Sequence, residues 1–84
     1  MNYDELRGAI AQRHRALSGR LQQIAEFVLD HPTDVALGTV AEIAERSGAP
    51  PSAIVRFAHA LGFDGFTQMQ QVFRSRLVAG VAPS

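Results

Sequence analysis

The sequence has no cysteine and no lysine. Without cysteine there is no disulfide framework, no thiolate metal site and no thiol nucleophile. Long apolar runs are also missing: none approaches the roughly 18 residues that a membrane-spanning helix needs. The N-terminus, Met1-Asn2-Tyr3-Asp4-Glu5, is acidic and lacks an apolar stretch, so no secretory signal is expected. Strand signals are absent, because no window alternates apolar and polar residues over several positions. The 84 residues suit one small domain, with little room for an enclosed active-site cavity. The expectation is an intracellular, cytoplasmic chain with no membrane partner and no cofactor.

What is present is a globular composition: 46% hydrophobic and 19% charged residues argue against disorder. Eight arginines balance eight acids, for a net charge of zero. The balance is uneven along the chain. Residues 1–45 hold four Arg against seven Asp and Glu, a net of −3, whereas residues 46–84 hold four Arg against Asp64 alone, a net of +3. Such asymmetry hints at an anionic partner for the basic half.

The chain reads as a series of short helices. Asn2 and Glu5 form a capping-box pair for a helix reaching Arg15, with Tyr3, Leu6, Ala9, Ile10 and Arg13 at helical spacing. This stripe either packs on the domain's own core or supplies a dimer contact. Ser18 is positioned to cap a second helix, whose buried stripe is Leu21, Ile24, Ala25, Val28 and Leu29. Pro32 ends it and opens a single turn to Leu37. Thr39-Val40-Ala41-Glu42 is a capping box for a helix to Arg46 or Ser47, and Gly48 follows where a left-handed C-cap is needed. A further helix is expected from Pro51 to about Leu61, and a last one from Phe66 to about Val78. The fold class is therefore all-α: a small bundle of five to six short helices over residues 1–78, with 79–84 as a tail or linker.

Function concentrates between residues 40 and 59. Two helices join through a tight turn at Gly48, Ala44 sits where they approach, and Ile43, Ile54, Phe57 and Leu61 supply the core beneath. That pattern is a helix-turn-helix of homeodomain-like kind, whose second helix enters the DNA major groove. On that helix Ile54, Phe57, Ala58 and Leu61 share one side. Ser52, Val55, Arg56 and His59 share the other, at i, i+3, i+4 and i+7. Arg56 suits a bidentate contact to guanine or a phosphate. Ser52 suits a phosphate or base edge, Val55 a thymine methyl, and His59 the DNA backbone. Thr39 caps its helix and has a hydroxyl to offer a phosphate. Arg56 and His59 have a plain alternative as solvated surface residues, whereas an exposed Val55 favours a contact face; helix-turn-helix corners also occur in proteins that never touch DNA.

Two segments carry a family resemblance. Thr39-Val40-Ala41-Glu42-Ile43-Ala44-Glu45-Arg46-Ser47-Gly48 leads into Ile54-Val55-Arg56-Phe57-Ala58-His59-Ala60-Leu61-Gly62-Phe63-Asp64-Gly65-Phe66, and upstream lies Leu21-Gln22-Gln23-Ile24-Ala25-Glu26-Phe27-Val28-Leu29-Asp30-His31-Pro32. Over residues 3–78 the chain resembles the N-terminal domain of RpiR-type bacterial transcription regulators. The resemblance implies binding to double-stranded operator DNA, pairing as a homodimer, and control of sugar or amino-sugar metabolism. It also implies a C-terminal sugar-isomerase-type domain that senses a phosphosugar; since the chain stops at Ser84, that effector is expected to act only through a domain not included. The sequence departs from the family at Ala49-Pro50-Pro51, where Val-Ser-Pro is usual, and at Ala53, a contact position where threonine is frequent. Both changes remove hydroxyl donors and leave Arg56, Ser52 and His59 to carry more of the contact.

Two other classes stand beside this one. Zero net charge and the absence of lysine suit a helical protein–protein interaction module. An enzyme is the more distant class: His14, His31 and His59 are widely spaced, and no Gly-rich phosphate loop follows a strand.

Overall fold

Residues 2–81 are described in this computed structural model, with backbone only for 78–81. Six α-helices follow one another: α1 (Tyr3–Arg13), α2 (Gly19–Asp30), α3 (Pro32–Leu37), α4 (Val40–Ser47), α5 (Pro51–Ala60) and α6 (Phe66–Val81). A single 3-10 turn, His14–Ala16, joins α1 to α2, and no strand occurs among the described residues.

Local chemistry sets most of these ends. Both expected capping boxes form. The Asn2 side chain accepts from the Glu5 amide at 2.8 Å, and the Thr39 hydroxyl oxygen accepts from the Glu42 amide at 3.1 Å. In each, the glutamate returns the bond to the cap's own amide. Three expectations are corrected. The first helix leaves α geometry at Arg13 rather than Arg15; the 3-10 turn takes over, and the Leu17 amide bonds the His14 carbonyl at 3.3 Å. Ser18 stands at the N-cap of α2, yet its side chain makes no capping bond. The last helix continues to Val81, past the expected end at 78. Gly80 costs a helix only about 1 kcal/mol and cannot stop it alone. The rest of the expected tail, residues 82–84, lies outside the described residues.

The core gathers one face from every helix. Ile24, Ala25 and Val28 of α2 meet Ile43 and Ala44 of α4 and Ile54, Phe57 and Ala58 of α5; Met69 and Phe73 of α6 complete it beneath Leu6, Ile10 and Val35. Leu6 and Ile10 are wholly buried, and the Tyr3 ring meets Phe73 edge-on at 5.5 Å. The α1 stripe is thus consumed within the domain, which decides between the two readings of it in favour of intradomain packing. α3 is too short to satisfy its own last carbonyls. α6 does so: the buried Gln70 amide donates to Val35 at 3.2 Å and Gly38 at 2.6 Å, and Arg74 Nε donates to Ala36 at 2.9 Å.

The junction of α4 and α5 is the sharpest feature. Gly48 adopts φ 78°, and the Ala44 carbonyl accepts from the amides of both Gly48 and Ala49. This is a Schellman-like stop, and a β-carbon there meets the intrinsic penalty of the left-handed region. Gln23 of α2 closes over the same turn, its amide donating to the Ser47 carbonyl. A β-carbon on Gly48 would come within 2.7 Å of that Gln23 nitrogen. Gly62 ends α5 in a similar way, at φ 92°, with the Phe63 amide on the Ala58 carbonyl at 3.0 Å, but a β-carbon there meets nothing within 4 Å.

That contrast gives a test of the turn. Gly62→Ala should lose about 1–2 kcal/mol from the backbone term alone, and Gly48→Ala should lose more because Gln23 must also move. Thermal unfolding followed by circular dichroism should rank the two this way, each kcal/mol lowering Tm by roughly 4–8 °C in a domain of this size.

Candidate nucleic-acid interface

The second helix of the motif starts without help from a side chain. Pro50 is its N-cap with ψ 154°, and Pro51 occupies the first helical position, where a missing N–H is harmless. The Ala53 amide turns back to the Pro50 carbonyl at 2.9 Å, while the Ser52 amide makes no backbone bond among the described residues. Ser52 is exposed. The front of α5 thus offers an uncommitted amide and a hydroxyl on the same residue.

The helix is divided lengthwise. Ile54, Phe57 and Ala58 are buried against the core; Ser52, Arg56 and His59 are exposed and Val55 is half-buried. Four of the expected contact residues are therefore brought onto one outward face. Two are not. Ala53 is only 6% exposed, so its methyl packs inward and does not join that face; it lies between the inward and outward stripes, on an edge that neighbouring structure covers. Thr39 belongs to the start of α4 and not to α5. Its oxygen is taken by the Glu42 amide, leaving only the hydroxyl proton to donate.

His59 is also partly committed. Its Nε2 donates to the Asp64 carbonyl at 3.0 Å, because a carbonyl can only accept; this spans the turn between α5 and α6. Its other ring nitrogen, Nδ1, is the one available outward.

The arginines divide more sharply than their positions in the sequence suggest. In the basic half, Arg46 pairs with Asp34 at 3.0 Å and lies over the Phe27 ring at 5.8 Å. Arg74 caps α3, and Arg76 lies over Tyr3 at 5.4 Å while reaching the Thr33 hydroxyl at 3.3 Å. Arg56 alone of these four makes no hydrogen bond or ion pair among the described residues. Arg13, read from the sequence only as part of the α1 stripe, donates from Nη1 to the Ala60 carbonyl at 2.7 Å and so complements the negative end of α5. No signal in the sequence announces that contact across 47 positions.

A surface cleft of about 120 Å³ is lined by residues that include Phe27, Asp34, Leu37, Glu42, Ile43 and Arg46. Its ionisable groups already have structural partners: Asp34 and Arg46 hold each other, and Glu42 caps α4. Among the described residues, no three metal-ligating side chains cluster, and no helix is long and apolar enough to cross a membrane.

Comparisons with known proteins agree with this architecture. A model of the helix-turn-helix domain of the rpiR family matches residues 4–83. The crystal structure of the N-terminal domain of ybbH from Bacillus subtilis, a protein assigned as a transcriptional regulator, superimposes with a TM-score of 0.76 at 24% identity, covering 81% of this chain and 83% of that one. At that identity it speaks to the fold. No curated protein matches the chain.

The division of arginines predicts a division of effects on stability. Arg46→Ala should cost about 1 kcal/mol, from an exposed ion pair and a cation–π contact. Arg56→Ala should stay within about 0.5 kcal/mol of the parent. Urea unfolding of both variants checks this, and a large loss for Arg56→Ala would mean that its side chain has structural work.

Proposed function

Because the chain belongs to the rpiR family of helix-turn-helix domains, we propose that it is the DNA-binding domain of a bacterial transcription regulator, with α5 as its recognition helix. The observation that carries this reading is the outward face of α5: one untied arginine, Arg56, flanked by Ser52, Val55 and the free ring edge of His59. Arg56 points a fork of donors away from the core, suited to the O6 and N7 atoms of guanine in the major groove. Ser52 meets a phosphate with its hydroxyl and its unpaired amide, as helix starts do. Val55 supplies apolar contact for a thymine methyl. Thr39, at the start of the neighbouring helix, is a further hydroxyl donor to the backbone.

The finer reading follows the family. The regulator acts as a homodimer, so that two copies of α5 enter the same duplex face about 34 Å apart. It governs sugar or amino-sugar metabolism, sensing a phosphosugar through a domain outside these 84 residues. It works in the cytoplasm, without catalytic activity and without a cofactor of its own. The dimer contact has to come from elsewhere than the α1 stripe, whose Leu6 and Ile10 are buried.

A helical protein–protein module is the second reading, favoured by one observation: three of the four arginines in the basic half are occupied within the domain. The two readings differ in salt dependence, since phosphate contacts release counterions and DNA affinity then falls steeply as salt rises.

The test is a fluorescence-anisotropy titration on duplexes selected by the chain from a random-sequence pool. Arg56→Ala should weaken binding to the selected duplex by about 1–3 kcal/mol and lower the preference for it over a scrambled duplex. Unchanged affinity on the selected duplex would remove Arg56 from the interface, and binding indifferent to salt would favour the protein–protein module.

A further inference from the structure

α2 carries Arg20, Gln23 and Phe27 at i, i+3 and i+7, a single row along the helix. Contacts fix what this row faces. Phe27 lies under the guanidinium of Arg46, in the last turn of α4, and Gln23 donates to the Ser47 carbonyl, at the turn itself. Followed toward the start of α2, the row passes from α4 to the turn; α2 also packs on α5, so the same course carries its next member, Arg20, toward α5. The far end of α5 gives the same bearing. Arg13, just before the corner that joins α1 to α2, donates to the Ala60 carbonyl. Ala53, Arg56 and Ala60 form one edge of α5 at i, i+3 and i+7. Ala53, at the start of this edge, is buried, whereas Arg56 and Ala60 further along it are exposed; α2 packs on α5, and the row of α2 leads toward this edge.

Arg20 is exposed and makes no hydrogen bond or ion pair among the described residues. The nearest acid on its own helix, Glu26, is paired with His14 at 3.1 Å. An arginine on a row that leads toward the recognition helix, with no partner among the described residues, has a guanidinium free for an anion. We propose that Arg20 is a second DNA contact: it holds a backbone phosphate on the strand bordering the groove, while Arg56 faces the bases. The assignment to phosphate follows from position, since an element flanking a helix seated in the major groove lies over the sugar-phosphate chain and not over base edges. It rests on the reading of α5 as the recognition helix. It adds to that reading a positioning contact that sets how α5 enters the groove.

The experiment measures affinity of the 84-residue chain for a selected and a scrambled duplex over a range of salt concentrations, with circular dichroism melts as the folding control. Arg20→Ala should weaken both duplexes by the same several-fold factor, lower the slope of log affinity against log salt by about one, and leave Tm unchanged. Arg20→Lys should restore the slope, because a point charge suffices for a phosphate. Arg7→Ala, which removes an equal charge from α1, should leave the slope as it was. The proposal is overturned if Arg20→Ala keeps the parent slope, if Arg20→Lys fails to restore it, or if Arg7→Ala lowers it equally. A parent chain that binds neither duplex in a salt-dependent way removes the reading of α5 along with this one. Salt-dependent binding that responds to Arg56→Ala and not to Arg20→Ala removes this one alone.

Discussion

The left-handed backbone at Gly48 is the constraint on which the rest of the domain depends. It reverses the chain between α4 and α5 within three residues, Gly48 to Pro50. Ile54, Phe57 and Ala58 are buried on the side of α5 that packs on α2 and α4; Ser52, Val55, Arg56 and His59 are left on the other side. The Gln23 amide on the Ser47 carbonyl ties the turn to α2, so the angle of α5 is set by two neighbours and not by the loop alone. A helix that must enter a groove benefits from such fixing, since rigid elements hold a contact geometry better than mobile ones.

Charge is handled with similar economy. Zero net charge is a poor starting point for binding a polyanion. Most of the arginines near the motif are used as structural donors: Arg13 at the end of α5, Arg74 at the end of α3, Arg46 against Asp34 and Phe27. Arg13 and Arg74 each satisfy a carbonyl at a helix end, and Arg46 shares Asp34 with His31. What remains for a ligand is small in number and defined in place. Modest attraction for DNA in general, with discrimination vested in a few side chains, is the behaviour such a distribution favours, and pairing of two copies would raise affinity without more charge.

Much of the fold is legible in the sequence because it is local. The capping boxes at Asn2 and Thr39, the glycine stop at Gly48, the proline starts at Pro32 and Pro51, and the stripes of α2 and α5 all rest on spacings of three or four residues, and the structure has them where those spacings put them. What escapes is long-range. Nothing near Gln70 announces that it caps a helix 32 to 35 positions away, nor does anything near Gln23 announce the turn at Ser47. For the candidate site, the outward stripe of α5 follows from periodicity, whereas the burial of Ala53 does not. A residue at the border of two faces is assigned by whatever packs over it, and its own spacing does not reveal that. The role of Arg13 is hidden for the same reason.

The outward face of α5 is the proposed place of DNA contact. The most direct measurement is an NMR titration of the isotopically labelled chain with a selected duplex, following every backbone amide. The largest shifts should fall on Ser52, Val55, Arg56 and His59 and on the start of α2, with little change along α3 and the α1 face packed on α6. Shifts centred on α3 and α6, or none beyond the general effect of salt, would contradict it.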